Sequence, residues 1–283
     1  MTFHADTALA ARLEGLAAEE MRSFVTAALV DEPEGGAVAL DVAGGVAAYI
    51  GRGCLMNQAF GLGFEGPVTV EHARAVTDFF AERGERAVVS VCPLADGSVL
   101  ESFAALGYVA DSFEQVLVRE CAAGDAALGE QLLTPGLSIS EPADEEGRSL
   151  WAHVAATGFS APLDPQPAQL ELGRLVTRRP GTRLFLAWVD GRPAGTAELQ
   201  ITGDIAWLSA DTTLPHYRGR GIQQALQRHR LALAARAGCT LAVTEARPGS
   251  VSQRNMERLG FSVIYTRVDL LGPELDAPSG EDA

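Results

Sequence analysis

The segment that most constrains this chain is a glycine-containing turn at residues 214–226, Leu-Pro-His-Tyr-Arg-Gly-Arg-Gly-Ile-Gln-Gln-Ala-Leu. It lies between a strand-like run and a run with helical spacing, so the chain must bend sharply there. Gly219 and Gly221 permit backbone angles that expose consecutive N–H groups, and the helix start adds unpaired donors. Arg218 and Arg220 add positive charge. The turn therefore predicts an anion site, and a pyrophosphate is the ligand that suits it.

Other phosphate-binding turns carry different residues at fixed places. A P-loop ends in Gly-Lys-Ser/Thr, and a dinucleotide fingerprint has a third glycine three residues after the second. Neither pattern is present, because residues 222–224 are Ile-Gln-Gln. What remains is Arg-x-x-Gly-x-Gln at residues 218–223, directly after a strand that ends in Leu-Pro. An ordinary surface loop is the alternative interpretation of this hexapeptide taken alone.

The sequence around the turn predicts a definite order of elements. Residues 204–213 alternate as a strand, which would place residues 205, 207, 209, 211 and 213 on one face. Apolar residues then recur at helical spacing as far as Gly238, a helix terminator. A buried strand, a short helix and a final strand are predicted at residues 239–245, 251–259 and 260–270.

This order of elements and the hexapeptide resemble the GCN5-related N-acetyltransferase (GNAT) family, whose acetyl-coenzyme A signature is Gln/Arg-x-x-Gly-x-Gly/Ala. The resemblance covers residues 137 to 271. Gln223 stands at the sixth position, where the family has a small residue. The resemblance implies an α/β fold, with a mostly antiparallel mixed sheet flanked by helices, and acetyl-coenzyme A as co-substrate.

The first half of the chain repeats the second half in a degenerate form. Gly84, Cys92 and Gly107 correspond to Gly238, Glu245 and Gly260 at an offset of about 153 residues. The counterpart of the phosphate turn, residues 61–67, has no arginine and contains a glutamate that would repel a phosphate. We therefore predict two tandem GNAT-like units, of which the first binds no coenzyme A. Chance similarity of two α/β segments is the alternative.

These features predict four parts of the chain. They are a degenerate GNAT-like domain without a cofactor motif at residues 1–121, a linker at residues 122–135, a GNAT acetyltransferase domain at residues 136–271, and a disordered acidic tail at residues 272–283.

The resemblance also implies which residues hold the co-substrate. Backbone groups of Asp211, Thr213 and Leu214 would pair with the pantetheine arm like an added strand. The N–H groups of the turn would take the pyrophosphate, and they belong to Arg218, Gly219, Arg220, Gly221, Ile222 and Gln223. The amide of Asn255 is predicted either to bond the pantetheine arm or a backbone carbonyl, or to be a helix-surface or capping amide.

An acetyl transfer to an amine needs a base for the ammonium and an acid for the leaving thiolate. Glu245 is the predicted base, since it ends a strand that, by the resemblance, lies beside the cofactor-bearing strand. Asp211 and Glu198, on neighbouring strands, are the alternatives. The family's general-acid tyrosine is replaced by Met256, so the sequence leaves Ser252, Tyr217 or a water to supply the proton.

Net charge, apolar runs and cysteine spacing indicate which partners and compartments to expect. The net charge of −15 indicates no nucleic-acid partner, because such proteins concentrate Lys and Arg on a binding face. No apolar run approaches the roughly 18 residues that span a membrane, and the N-terminus lacks the features of a signal peptide. We expect a cytoplasmic monomer or homodimer. The four cysteines form no Cys-x-x-Cys pair and predict neither a metal site nor a disulfide.

The sequence therefore predicts an N-acetyltransferase. It would move an acetyl group from acetyl-coenzyme A to a small-molecule or peptide amine by direct attack in a ternary complex. A non-catalytic acyl-coenzyme A-binding protein is the main alternative, and the missing tyrosine is its basis. A general nucleotide-binding module is a third, which would bind ATP or NAD in competition with coenzyme A.

Overall fold

The structure, a computed structural model, describes residues 6–130 and 134–275. Most of the predicted acidic tail, residues 276–283, and residues 131–133 of the predicted linker lie outside the described residues. By internal contacts the described chain divides into two compact units. We call residues 115–264 the C-terminal unit, and residues 6–114 with residues 265–275 the N-terminal unit. No helix in the described ranges has the length and apolarity that a membrane span requires.

The described residues form seven α-helices and eleven strands. In chain order they are α1 (Thr7–Asp31), β1 (Val38–Val42), β2 (Gly45–Tyr49), β3 (Gln58–Phe60), α2 (Val70–Ala81), β4 (Val88–Val91), α3 (Ser98–Ala104), β5 (Val109–Glu120), β6 (Leu137–Ser140), α4 (Glu145–Ser160), α5 (Pro167–Arg178), β7 (Thr182–Val189), β8 (Arg192–Thr202), β9 (Ile205–Thr213), α6 (Ile222–Arg236), β10 (Leu241–Ala246), α7 (Val251–Arg258) and β11 (Ser262–Leu271). Two 3₁₀ helices, Ala123–Glu130 and Pro215–Tyr217, complete the set.

The sheet of the C-terminal unit has the order β5-β10-β9-β8-β7-β6. Only β9 and β10 run parallel, and the other neighbours are antiparallel. Apolar residues of these strands form one core with Ile222 and Leu226 of α6 and with Met256 of α7. This mixed sheet with flanking helices confirms the predicted α/β class. It also confirms the order of elements around the turn, since β9, α6, β10, α7 and β11 follow one another as expected.

The sheet of the N-terminal unit has the order β1-β2-β3-β4-β11, with β3 and β4 as its only parallel pair. Its core contains Val76 and Phe80 of α2 and Phe103 of α3. Each unit thus has antiparallel strands, one parallel pair and a final antiparallel strand. Residues 7–31 form the single long helix α1, whose start is capped by the Asp6 side chain.

Each unit takes its last strand from the other half of the sequence. Residues 268–271 of β11 pair with β4 in the N-terminal unit, and residues 115–120 of β5 pair with β10 in the C-terminal unit. The predicted domain boundaries at residues 121 and 136 follow the order of the sequence and remain predictions. The compact units are defined by packing and divide the chain at residues 114 and 264 instead.

Candidate active site

The turn between β9 and α6 depends on two glycines. Gly219 and Gly221 have φ angles of +76° and +77°, a left-handed conformation that is strained for residues with a side chain. No described atom lies within 4 Å of a Cβ built on Gly219, and a Cβ on Gly221 would be 3.5 Å from Thr134 Oγ1. Backbone conformation, and not lack of space, therefore requires glycine at both positions.

The turn exposes a row of amides. Within the described residues, none of the six N–H groups of residues 219–224 donates a hydrogen bond, and the next amide, Ala225 N, donates to Gly221 O at 3.0 Å. Gly219, Arg220 and Gly221 are exposed. Unpaired donors at a helix start attract anions. The N–H of Arg218, which also belongs to the predicted set, donates to Pro215 O at 3.2 Å.

The two arginines of the turn have different surroundings. The Arg218 guanidinium donates to Thr213 O at 3.2 Å through Nε and to Gly158 O at 3.1 Å through Nη2. Its charge is therefore partly used to hold the turn against the ends of β9 and α4. The Arg220 guanidinium lies 5.5 Å from the centre of the Tyr217 ring. Arg220 is exposed, and its side chain belongs to the same turn as the unpaired amides.

Strand β9 separates from β10 halfway along its length. The two strands pair from Ile205 opposite Leu241 to Leu208 opposite Thr244, whereas β9 continues to Thr213. On the other side of β9, the register with β8 breaks between Glu198 opposite Ser209 and Thr196 opposite Thr212. Residues 209–213 thus form a segment of β9 for which the described residues contain no β10 partner.

A β-bulge at Ala210 explains the break in register. Ala210 has a φ of +52°, which is uncommon for a residue with a side chain. One extra residue reverses the alternation of side chains that follow it. The prediction that residues 205, 207, 209, 211 and 213 share one face is therefore wrong. Thr212 is buried, whereas Asp211 and Thr213 are partly exposed.

The three residues predicted to bind the pantetheine arm all lie on or beside this segment, and their hydrogen-bond partners differ. Leu214 N donates to Ala194 O at 2.9 Å, so that amide is committed to the β8 side. Thr213 Oγ1 is buried and has no hydrogen-bond partner among the described residues. The Asp211 carboxylate accepts a hydrogen bond from Arg230 Nη2 and forms an ion pair with it. Burial raises the pKa of Asp211 above its ordinary value, while the Arg230 charge acts in the opposite direction.

The other candidate bases differ in their surroundings. Glu245 is partly exposed on β10, one residue beyond the last residue that pairs with β9. It therefore borders the place where the two strands separate. Glu198 is 2% exposed and accepts from Arg179 at 2.8 Å and from Ser209 at 3.0 Å. The structure surrounds Glu198 with donors inside the unit.

Hydrogen bonds between α6 and α7 connect three residues that the sequence singled out, Gln223, Ser252 and Asn255. Gln223 Nε2 donates to Ser252 Oγ at 3.2 Å, and Asn255 Nδ2 donates to Gln223 Oε1 at 2.7 Å. Arg258 Nη1 donates to Asn255 Oδ1 at 2.9 Å. The Gln223 side chain thus extends toward α7, which explains how a large residue fits where the family has a small one.

The position of the family tyrosine is part of the core. Met256 is 1% exposed and packs with the apolar residues of the sheet and α6. Tyr217, another predicted proton donor, is half-buried against the same core.

Sequence reasoning missed Arg230, which is 0% exposed on α6. It lies four and eight residues after the buried Leu226 and Ile222, so the helical spacing could have placed it on the buried face. Within residues 6–130 and 134–275, no group of three or more His, Cys, Asp or Glu side chains has an arrangement for a metal ion.

Comparison with known proteins agrees with this geometry. The sequence profile of the Acetyltransferase (GNAT) family matches residues 149–261. That range begins within α4 and extends past the end of α7, and it includes the turn and the separated segment of β9. No curated protein matches the chain.

Several solved structures share the fold. A GCN5-related N-acetyltransferase from Kribbella flavida has a TM-score of 0.65 at 17% identity and covers 91% of this chain and 96% of its own. A functionally unknown conserved protein from Staphylococcus epidermidis has a TM-score of 0.58 at 13% identity, with coverages of 86% and 96%. A tandem GNAT protein from the clavulanic acid biosynthesis pathway has a TM-score of 0.54 at 16% identity, with coverages of 71% and 69%. Residues 149–261 of this chain form a domain of the GNAT acetyltransferase family.

Proposed function

We propose that this protein transfers an acetyl group from acetyl-coenzyme A to the amine of a small molecule or peptide, by direct attack in a ternary complex. The observation that carries the proposal is the row of six unpaired amides at residues 219–224, next to the segment of β9 that β10 leaves uncovered. A diphosphate needs clustered donors, and an extended amide-containing arm needs a strand edge. The two requirements are met side by side.

The co-substrate would be held by backbone more than by side chains. Amides of Gly219, Arg220, Gly221, Ile222 and Gln223 would bind the pyrophosphate, and the Arg220 charge would add to them. Residues 211–213 of β9 would pair with the pantetheine arm through their backbone groups. An N–H of this segment would then stabilise the charge that develops on the carbonyl oxygen.

Proton transfer would be carried out by Glu245 and Ser252. Glu245 borders the separation of β9 from β10, where an amine must approach the thioester, so it would accept the ammonium proton directly or through a water. Ser252 Oγ accepts from Gln223, which leaves its O–H to donate to the departing thiolate. The Asp211 carboxylate would have to leave Arg230 before it could act as a base.

The N-terminal unit would bind no coenzyme A. Gly63 N, in the loop that corresponds to the phosphate turn, donates to Ala43 O at 3.1 Å, and Asp96 N donates to Gly63 O at 3.0 Å. A side chain at Gly63 would collide with Val99. This packed loop contrasts with the open turn at residues 219–221. We propose a structural role for this unit, within a cytoplasmic protein that is a monomer or a homodimer and binds no nucleic acid.

A panel of amines tests the function. With acetyl-coenzyme A present, we expect at least one amine to release free thiol in proportion to acetylated product. Glu245→Gln should then lower kcat by about 10²- to 10⁴-fold, the usual contribution of a general base. Glu257→Gln on the exposed side of α7 is the matched control and should keep wild-type kcat. Full activity of Glu245→Gln would reject this choice of base.

A non-catalytic acyl-coenzyme A-binding protein is the second candidate, and the buried Met256 at the tyrosine position favours it. Both candidates predict binding of acetyl-coenzyme A with ATP and NAD failing to compete. Only the enzyme would release free thiol when an amine is added. Tight binding with no thiol release from any amine of the panel would decide for the binding protein.

A further inference from the structure

Arg230 is a fully buried cation with an unusual set of acceptors. Its Nη1 donates to Glu198 O at 2.7 Å and to Ser209 O at 3.0 Å. Its Nη2 donates to the Asp211 carboxylate, and its Nε to Leu226 O at 3.3 Å. All three nitrogens of the guanidinium therefore have acceptors, although the side chain is 0% exposed.

The two carbonyls that Arg230 Nη1 binds belong to the last regular pair before the β9 bulge. Glu198 lies opposite Ser209, and pairing resumes only at Thr196 opposite Thr212. The ladder between β9 and β10 also ends here, at Leu208. A bulge leaves backbone groups without ladder partners, and buried carbonyls need donors. Arg230 supplies donors on both strands, and Thr196 Oγ1 supplies another to Ala210 O at 3.3 Å.

The same helix carries the phosphate turn and Arg230. The unpaired amides lie at the start of α6, and Arg230 lies two turns further along its buried face. A rigid helix therefore links the position of the turn to the position of the bulge. If acetyl-coenzyme A binds as proposed, its pyrophosphate and its thioester would both be positioned from α6.

We propose that Arg230 is a positioning residue for the acyl transfer, with Thr196 as its weaker partner. It fixes the bulge and thereby the direction in which residues 210–213 leave β10 and present their backbone to the thioester arm. The Asp211 carboxylate neutralises the buried guanidinium. This inference rests on the proposed function.

Arg230→Lys tests the role, because lysine keeps the charge but cannot bind both carbonyls and the carboxylate in the geometry of the guanidinium fork. In the proposed function the turn holds the pyrophosphate of coenzyme A, and Arg230→Lys leaves the residues of the turn unchanged, so the Kd of coenzyme A should change by less than about threefold. The kcat with the best amine of the panel should fall by about 10²-fold, as misplaced reacting groups do. Hydrogen exchange of residues 205–213 should become faster in the absence of any ligand.

Arg267→Lys is the matched control, since Arg267 is 1% exposed and pairs with Glu14, and both residues belong to the N-terminal unit, whereas Arg230 belongs to the C-terminal unit. It should leave the Kd of coenzyme A, the kcat and the exchange of residues 205–213 unchanged. Thr196→Val is a second test that preserves side-chain shape and removes only the hydroxyl bond to Ala210 O. It should also lower kcat, by a smaller factor than Arg230→Lys. If Arg230→Lys does not fold, Thr196→Val tests the positioning role in its place.

The results separate this inference from the proposed function. Wild-type kcat and wild-type exchange in Arg230→Lys would overturn the positioning role, and so would equal losses of coenzyme A affinity and of kcat. If the wild-type protein binds acetyl-coenzyme A but releases no thiol, the proposed function fails. Hydrogen exchange of β9 then still tests whether Arg230 fixes the bulge and the backbone beyond it. Protection of residues 209–213 by acetyl-coenzyme A that is lost in Arg230→Lys would support the role, and retained protection would overturn it.

Discussion

Gln223 shows how a single residue can differ from a family pattern while the surrounding backbone keeps its form. The family pattern has a small residue at this place, and a glutamine side chain directed over the turn would cover the amides. In this chain its amide instead bonds to Ser252 and Asn255 of α7. The amides of residues 219–224 consequently remain unpaired within the described chain.

Replacing Gln223 should therefore affect stability through α7. Gln223→Ala removes two hydrogen bonds between partly buried side chains, and we expect the free energy of unfolding to fall by about 1–2 kcal/mol. Urea titration measures the change. Gln224→Ala, the same substitution one residue further on, should stay within about 0.5 kcal/mol of wild type. Equal effects of the two substitutions would contradict the assigned contacts.

His229 predicts a pH dependence of stability. Burial lowers the pKa of His229 below 6.5, with Arg183 acting in the same direction, so the folded state favours the neutral ring. As the pH falls below 6.5, the unfolded chain takes up this proton first, and stability is lost. The free energy of unfolding should decrease between pH 7.5 and pH 5.5, and His229→Gln should reduce that decrease.

Urea titrations at the two pH values measure the difference. His153→Gln serves as the control because His153 is exposed on α4. If His229→Gln leaves the pH dependence as steep as in wild type, the buried environment of His229 does not account for it. The ring of the half-buried His229 lies 5.1 Å from the Phe185 ring, edge to face, so it packs against the apolar core.

At the scale of elements, the regular parts of the fold were predictable from the sequence and the irregular parts were not. Strand β9, helix α6 and helix α7 begin and end within about two residues of the ranges that periodicity and capping residues indicate. The bulge in β9 was missed because Ala210 carries no signal for a positive φ. The exchange of β5 and β11 was missed because strand pairing over such separations depends on tertiary packing, which local patterns do not encode.

The candidate site was predictable to a similar degree. The two glycines identify the turn, since a backbone requirement appears directly in the sequence. The ion pair of Asp211 with Arg230 and the joining of Gln223 to α7 depend on side chains that meet only in the folded chain. They therefore could not be read from spacing alone.

Helix α1 is attached to β11 by a buried ion pair. Glu14 accepts from Arg267 Nε at 2.8 Å and from Tyr265 OH at 2.7 Å, and Glu14 and Arg267 are each 1% exposed. Arg267→Met should leave the Glu14 carboxylate buried without its cation and lower the free energy of unfolding by about 3–5 kcal/mol.

Equilibrium unfolding in urea measures this change. Arg22→Met, which breaks the exposed ion pair with Asp41, should cost less than about 1 kcal/mol. A loss of similar size in the two variants would show that Glu14 and Arg267 are not a buried pair in solution.

At the scale of the whole molecule, the end of the described chain belongs to the N-terminal unit, although it follows the C-terminal unit in sequence. Residues 265–275 supply the strand that pairs with β4, and Gly272 O accepts from Arg86 Nη2 at 2.7 Å. Removing residues 265–283 should therefore destabilise the N-terminal unit and increase its cleavage by a protease. Removing only residues 276–283 is the control and should leave the cleavage pattern unchanged. Identical patterns after both deletions would contradict this assignment of β11.

The fold, the family match at residues 149–261 and the open turn together support acyl transfer, and binding at the turn is the step on which the rest depends. Affinity for acetyl-coenzyme A in Gly221→Val tests it most directly, with Gly238→Val as the matched control. Gly238 has a φ of +80° at the other end of α6, so both substitutions introduce a similar backbone strain of about 1–3 kcal/mol. The account predicts that Gly221→Val loses affinity by at least about tenfold while Gly238→Val keeps it. Wild-type affinity in a folded Gly221→Val variant would contradict the account.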